Sequence, residues 1–122
     1  MISVCLINPP VSFNKHIIGL FKDEMPSIGL AYVGASLLEL GHRVTGVDGL
    51  GEALGTFRDI EGRDDILHGL TIEQIIEKIP TDVQLIGVTV MFSNQWFLHK
   101  ALIKKIKSAR PRAIIAVGGE AA

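Results

Sequence analysis

Four short apolar runs constrain this chain more than any other feature: ISVCLI (2–7), RVTGVD (43–48), QLIGVTV (84–90) and AIIAV (113–117). Each is too short for a stable helix and rich in branched residues, as a strand buried on both faces must be. Between them lie segments with helical spacing. Strand, helix, strand, helix, strand, helix, strand predicts an α/β fold, a doubly wound parallel sheet with helices on both faces.

The connecting segments fit that frame. Residues 28–40 are apolar with small Gly29, Ala31, Gly34 and Ala35 interleaved, suited to a helix packed closely on a sheet, and Gly41 stops it. TIEQIIEKIP (71–80) combines a capping box at Thr71 and Gln74 with a stripe of Ile72, Ile75, Ile76 and Ile79, and ends at Pro80. A third helix, capped by Ser93 or Asn94 and with Trp96 expected in its core, runs to about Ala109. Asn8-Pro9-Pro10 stops the first strand. Residues 49–70, with five glycines and the charged patch RDIEGRDD, read as a long connection without regular structure, which is uncommon and usually functional.

At 122 residues the chain is one domain at most, and 48% hydrophobic residues with a mean hydropathy of +0.37 imply a well-filled core or a surface meant for another domain. A formal net charge of −1 gives no reason to expect nucleic acid or an acidic membrane as partner. The basic residues Lys100, Lys104, Lys105, Lys107, Arg110 and Arg112 read as a solvated helix face. Cys5, the single cysteine, excludes an internal disulfide and reads as a buried structural thiol. With no signal-peptide pattern and no apolar run of the ~20 residues a membrane span needs, the expected location is the cytoplasm.

Ligands of doubly wound sheets bind beyond the carboxyl ends of the strands, so NPPVSF, DGLG, MFSN and GGEAA are where a site is expected. SIGLAYVGASLLELGHRVTGVDG (27–49) superficially offers a dinucleotide fingerprint, with Gly29, Gly34 and Asp48 as a ribose ligand. The context is wrong. Gly29 follows KDEMPSI and not a strand, and Ala31 occupies the position where a glycine would let the backbone approach a pyrophosphate. Those glycines are expected to serve helix–sheet packing. There is no P-loop, no acidic cluster after the first strand, no H-E-x-x-H, and His16, His42, His68 and His99 are scattered over separate elements.

INPP, MPSIGLAYVGASLLELGHRVTGVD, HGLTIEQIIEKI, LIGVTVMFSNQW and IIAVGGE, in this order and spacing, resemble the N-terminal cobalamin-binding domain of B12-dependent radical S-adenosylmethionine enzymes. The resemblance implies a flavodoxin-like sheet that holds cobalamin over its strand ends with the dimethylbenzimidazole tail buried in the domain. It implies that residues 1–122 form a single such domain, the N-terminal part of a longer enzyme. The 4Fe-4S cluster, S-adenosylmethionine and the chemistry would belong to an absent C-terminal radical domain, with which this one would be partnered. By position, Met91, Phe92 and Ser93 would face the corrin and tail, with Ser93 hydrogen-bonding near the nucleotide. Gly118 and Gly119 would admit the tail, beside Glu120. Asn8, Pro9 and Pro10 would shape the loop beneath the corrin, and Asp48 would reach a corrin amide.

Three departures qualify the match. The D-x-H-x-x-G motif that supplies a cobalt-binding histidine in mutases is absent, as it is from many radical enzymes of this family. No C-x-x-x-C-x-x-C is present, and GGEAA stands where relatives continue to a fifth strand. In the order 2-1-3-4-5 a missing fifth strand would leave AIIAV as an open apolar edge, expected to recruit a second copy, and would weaken cobalamin binding. Two other readings stay open from the residues alone: a nucleotide-sugar or NAD-binding Rossmann-type domain of a dehydrogenase or glycosyltransferase, and a ligand-free docking domain.

Overall fold

The computed structural model of the chain describes residues 1–17, 27–90 and 95–119. Its elements are β1 (Ser3–Asn8), β2 (Val11–Asn14), α1 (Ile28–Glu39), β3 (Arg43–Asp48), β4 (Phe57–Asp59), β5 (Asp65–His68), α2 (Ile72–Lys78), β6 (Leu85–Thr89), α3 (Trp96–Ala109) and β7 (Ile114–Gly118), with 3-10 turns at Lys15–Ile17 and Gly51–Ala53. The four expected runs form one parallel sheet in the order β3-β1-β6-β7. The α/β fold read from the alternation of elements is therefore the observed one, and the order is that of the first four strands of a flavodoxin-like sheet.

Register fixes what each face of the sheet carries. Residues paired across parallel strands share a face, and alternate residues change face. Cys5, Ile7, Val47, Ile86 and Val88 point to one side, where they form the core with Ile75 and Ile79 at α2 and Leu102 and Ile106 of α3. Leu6 and Val44 point to the other, where a Cβ on Gly34 of α1 would meet Leu6 Cδ1 at 3.5 Å and Val44 Cγ1 at 3.9 Å. Gly34 thus serves the close helix–sheet packing expected of it. At Gly29 none of the described residues lies within 4 Å of a would-be Cβ, so it makes no such contact with the sheet.

Local chemistry sets the helix ends. Ser27 caps α1, its hydroxyl accepting from the Leu30 N–H, and the reciprocal capping box of α2 forms between Thr71 and Gln74. The start of α3 departs from expectation. Its cap residue is Gln95, which makes no side-chain capping bond, while Ser93 and Asn94 lie outside the described residues. Trp96 is 46% exposed and not core, because the buried stripe of α3 runs through Leu98, His99, Leu102 and Ile106. Arg110 is likewise no solvated surface charge. Its guanidinium donates to the carbonyls of Ile76, Ile79 and Pro80, satisfying the open end of α2.

The larger correction concerns residues 49–70, which are not a structureless connection. They carry a 3-10 turn, β4 and β5, and with β2 build a three-stranded antiparallel sheet in the order β2-β5-β4. Pro9-Pro10 does stop β1, but the chain resumes at once as β2 in this second sheet. The strands are three or four residues long and β4 is exposed throughout, so neither length nor apolar alternation marked them. Among the described residues no helix is long and apolar enough to cross a membrane.

Candidate functional site

The strand order changes direction between β1 and β6: the chain leaves β1 for β3 on one side and crosses to β6 on the other. Crevices at such a switch point, beyond the carboxyl ends, are where doubly wound sheets take ligands. The carboxyl ends on either side of the switch point carry Asn8 and Asp48, at the ends of β1 and β3, and Val90, Gly118 and Gly119, at the ends of β6 and β7.

Asn8 and Asp48 end neighbouring strands in register, and Asn8 Nδ2 donates to Asp48 Oδ1 at 2.9 Å. The same oxygen accepts from the Gly51 N–H at 2.8 Å, while the Asp48 N–H donates to Glu52 Oε2 at 2.8 Å. Glu52 is in turn paired with Lys78 at 3.1 Å. One oxygen of Asp48 is thus spent on ordering the turn that leaves β3, a role its position at a strand end did not announce.

Pro9 and Pro10 are buried, Pro10 almost completely. Behind them the chain crosses itself at Gly49 and Gly69. The Gly49 N–H donates to the Asn8 carbonyl and the Leu70 N–H to the Gly49 carbonyl, each at 2.6 Å. A Cβ on Gly69, whose φ is +123°, would collide with the Gly49 carbonyl, so only glycine fits. The prolines therefore brace this crossing, and the surface above them is set by Asn8 and Asp48.

Gly118 and Gly119 differ from each other. The Gly118 carbonyl accepts from the Val90 N–H at 2.7 Å, and among the described residues nothing lies within 4 Å of a would-be Cβ on Gly118. Gly119 has φ +114°, and a Cβ there would run into the Val90 backbone. One glycine leaves room and its neighbour lets two strand ends touch. Met91, Phe92, Ser93 and Glu120 lie outside the described residues.

The small sheet flanks the crevice and is held by a contact that sequence reasoning missed. Gln95, buried at the head of α3, accepts from the Ser12 N–H at 2.8 Å and hydroxyl at 2.9 Å, and donates from Nε2 to the Ser12 carbonyl at 2.9 Å. The amide thus supplies what a further strand would supply to the outer edge of β2. The alternation in VSFN just after Pro9-Pro10 was the available signal for this strand. On the opposite face of the small sheet, His68 stacks on Phe57 with centroids 4.4 Å apart and planes 12° from parallel, and Phe13 meets both edge-on. His68 Nε2 lies 2.7 Å from the Leu54 carbonyl, so that nitrogen carries the proton and donates.

Two titratable groups are buried away from the crevice. Burial pushes the Cys5 thiol up to about 11, with the charge of Arg110 opposing, which leaves an inert structural thiol. His99, on the buried side of α3, has its pKa lowered by burial, and its Nδ1 has no hydrogen-bond partner among the described residues. Among the described residues no group of three or more His, Cys, Asp or Glu side chains is placed to hold a metal ion.

No protein-family model and no solved structure matches the chain. Among curated proteins it is similar to cytidylyl-2-hydroxyethylphosphonate methyltransferase of Streptomyces wedmorensis, with 28% identity over 122 aligned positions covering 95% of this chain and 22% of that enzyme. The chain spans about a fifth of the length of the curated relative it matches.

Proposed function

We propose that this chain is the cobalamin-binding module of a larger B12-dependent radical S-adenosylmethionine enzyme of the methyltransferase type. The observation that carries the reading is the unequal glycine pair at the end of β7. Gly119 brings the backbone against Val90, while no described side chain lies within 4 Å of a Cβ on Gly118, one strand beyond the switch point of the sheet. A long, flat-bodied ligand with a tail needs such an opening between strand ends, framed by small groups and backbone. Similarity along nearly the whole chain to a named methyltransferase supports the same class of parent enzyme.

On this reading Asn8 and Asp48 present amide and carboxylate oxygens to the amide fringe of the corrin, held in place by Gly51 and Glu52. Pro9 and Pro10 act one layer down, keeping Asn8 and Asp48 at a fixed height. Met91, Phe92, Ser93 and Glu120 keep the roles the family resemblance implies, with Ser93 toward the nucleotide tail. Cobalamin, when bound, supplies a cobalt centre that carries a methyl group. This chain's own residues bind, orient and shield it, and the iron–sulfur cluster and S-adenosylmethionine belong to the parent's other domain.

The Rossmann-type alternative is less well served. Gly34 packs on Leu6 and Val44 and not on a ligand, and α1 begins about twenty residues after β1 ends. The test is to mix the purified chain with hydroxocobalamin, desalt it, and record the visible spectrum of the protein fraction. A co-eluting corrin spectrum shifted toward the base-off form is expected. A protein fraction free of corrin absorbance both for this chain and for a longer chain carried through the fifth strand refutes the reading.

A further inference from the structure

The two strands at the switch point diverge at their carboxyl ends. Parallel pairing of β1 with β6 runs as far as Ile7 and Val88. Beyond it the chain from β1 turns through Pro9-Pro10 into β2 of the small sheet. The chain from β6 leads to α3, on the face of the main sheet that carries Ile7 and Val88. A doubly wound sheet does not require the two departing segments to meet again, and their divergence is what opens a crevice for a ligand.

In this chain they do meet. Ser12, just past the prolines, and Gln95, at the head of α3, are 83 positions apart in sequence and are joined by three hydrogen bonds of 2.8 to 2.9 Å. Gln95 Oε1 accepts from the Ser12 N–H and hydroxyl, which fills both its lone pairs, and Nε2 donates to the Ser12 carbonyl. An amide bound through both its oxygen and its nitrogen has one orientation, so the spacing between Ser12 and the head of α3 is set. Both residues are buried, which keeps water from competing for these groups. A second tie lies close by: the Arg63 guanidinium, from the turn between β4 and β5, sits 3.7 Å over the ring of Phe97. The small sheet is thus clasped to the first turn of α3 at two points, and the clasp at Ser12 bridges the segments that leave β1 and β6.

We infer, on the cobalamin reading, that Gln95 is a positioning residue for the ligand held over the strand ends. On that reading the corrin touches Asn8 on the β1 side and, on the other, the segment that leads from β6 to Gln95. Gln95 acts through Ser12 and not by contact with the corrin: it fixes the two sides relative to each other before the ligand arrives. A site whose parts are already held in place spares the bound state the cost of ordering them, and the gain appears chiefly as slower release. The distinction from plain stability is kinetic. A substitution that only destabilises the fold lowers the fraction of folded chain, while each folded molecule still releases its ligand at the native rate. Loosening the clasp speeds release from the folded molecules themselves.

The test is the rate at which the loaded protein loses hydroxocobalamin, followed as the visible absorbance of the protein fraction on repeated desalting after dilution. It is made with this chain or with the longer chain carried through the fifth strand, whichever retains corrin. Gln95→Ala is expected to release corrin about tenfold faster than wild type, with native circular dichroism. Gln95→Glu keeps the two accepted bonds and loses the donated one; it is expected to release about threefold faster, and decides the question if Gln95→Ala does not fold. Ile106→Val, in the core toward the other end of α3, is expected to lower the urea midpoint and leave release at the wild-type rate. Release from the Gln95 variants at the wild-type rate, or equally fast release from Ile106→Val, overturns the inference and leaves the cobalamin reading standing. Absence of corrin from wild type at both chain lengths overturns the reading and the positioning role with it.

Discussion

Replacing Gln95 by alanine removes three hydrogen bonds to one residue, those with the Ser12 N–H, hydroxyl and carbonyl, at 2.8 to 2.9 Å. Ser12 and Gln95 are both buried, so water does not replace the lost partners freely. Leaving a buried backbone donor and acceptor unsatisfied costs about 1–3 kcal/mol for each group. Part of that is recovered if β2 shifts toward solvent, so a net loss of about 2–4 kcal/mol is expected, a large share of the roughly 5–15 kcal/mol that stabilises a typical domain. Ser12→Ala is the internal control. It deletes only the hydroxyl, whose loss costs about 1 kcal/mol, and leaves the backbone bonds to Gln95 in place. Urea unfolding followed by circular dichroism measures both, with the slope m reporting whether the unfolding transition itself has changed. If Gln95→Ala destabilises no more than Ser12→Ala, the amide is not acting as a substitute strand.

Two further outcomes follow from buried groups and close backbone. His99 has its native pKa lowered below the ordinary value of 6.5, so the unfolded chain takes up a proton that the native state refuses. Its contribution to stability is whole above about pH 6.5 and is lost as pH falls from there through the lower native value, and His99→Leu is expected to flatten that part of the urea-midpoint profile. Identical slopes in wild type and variant would remove His99 from the account. Gly119→Ala forces a side chain into a left-handed backbone and against Val90, and is expected to cost more than 1 kcal/mol; Gly118→Ala meets none of the described residues within 4 Å and is expected to be near neutral for stability while reducing cobalamin retention in the desalting assay. The reverse ranking in thermal melts would contradict the division of roles within the pair.

The parallel sheet was legible because its signal is carried by whole segments. ISVCLI and QLIGVTV are apolar through both faces, and a capping box and a proline bracket α2. What stayed hidden depends on partners distant in sequence. Asp48 looks like a ligand by position, and only its contact with Gly51 shows it ordering a turn. Gln95 is unremarkable at the start of a helix until Ser12, 83 positions away, is brought to it. The small sheet is hidden for a related reason: β4 is exposed throughout, β5 buries the adjacent Leu67 and His68 and not alternate residues, and both are held by β2 and by the Gly49–Gly69 crossing. Arg110 was read as solvated because a helix C-terminus in need of donors cannot be seen from the arginine's own neighbourhood.

The pairing of β1 has a kinetic side. Strand β1 is made before the other strands of its sheet, yet it lies inside that sheet, with Ser3 paired to Arg43 and Val4 to Leu85. Translation at ~5–20 residues per second puts roughly 4–16 s between the synthesis of Val4 and that of Leu85. Through that interval ISVCLI has at most one of its two neighbours. The nascent chain therefore holds its most apolar segment half-paired until β6 emerges, which is when chaperone capture and misassembly with neighbouring chains compete with folding.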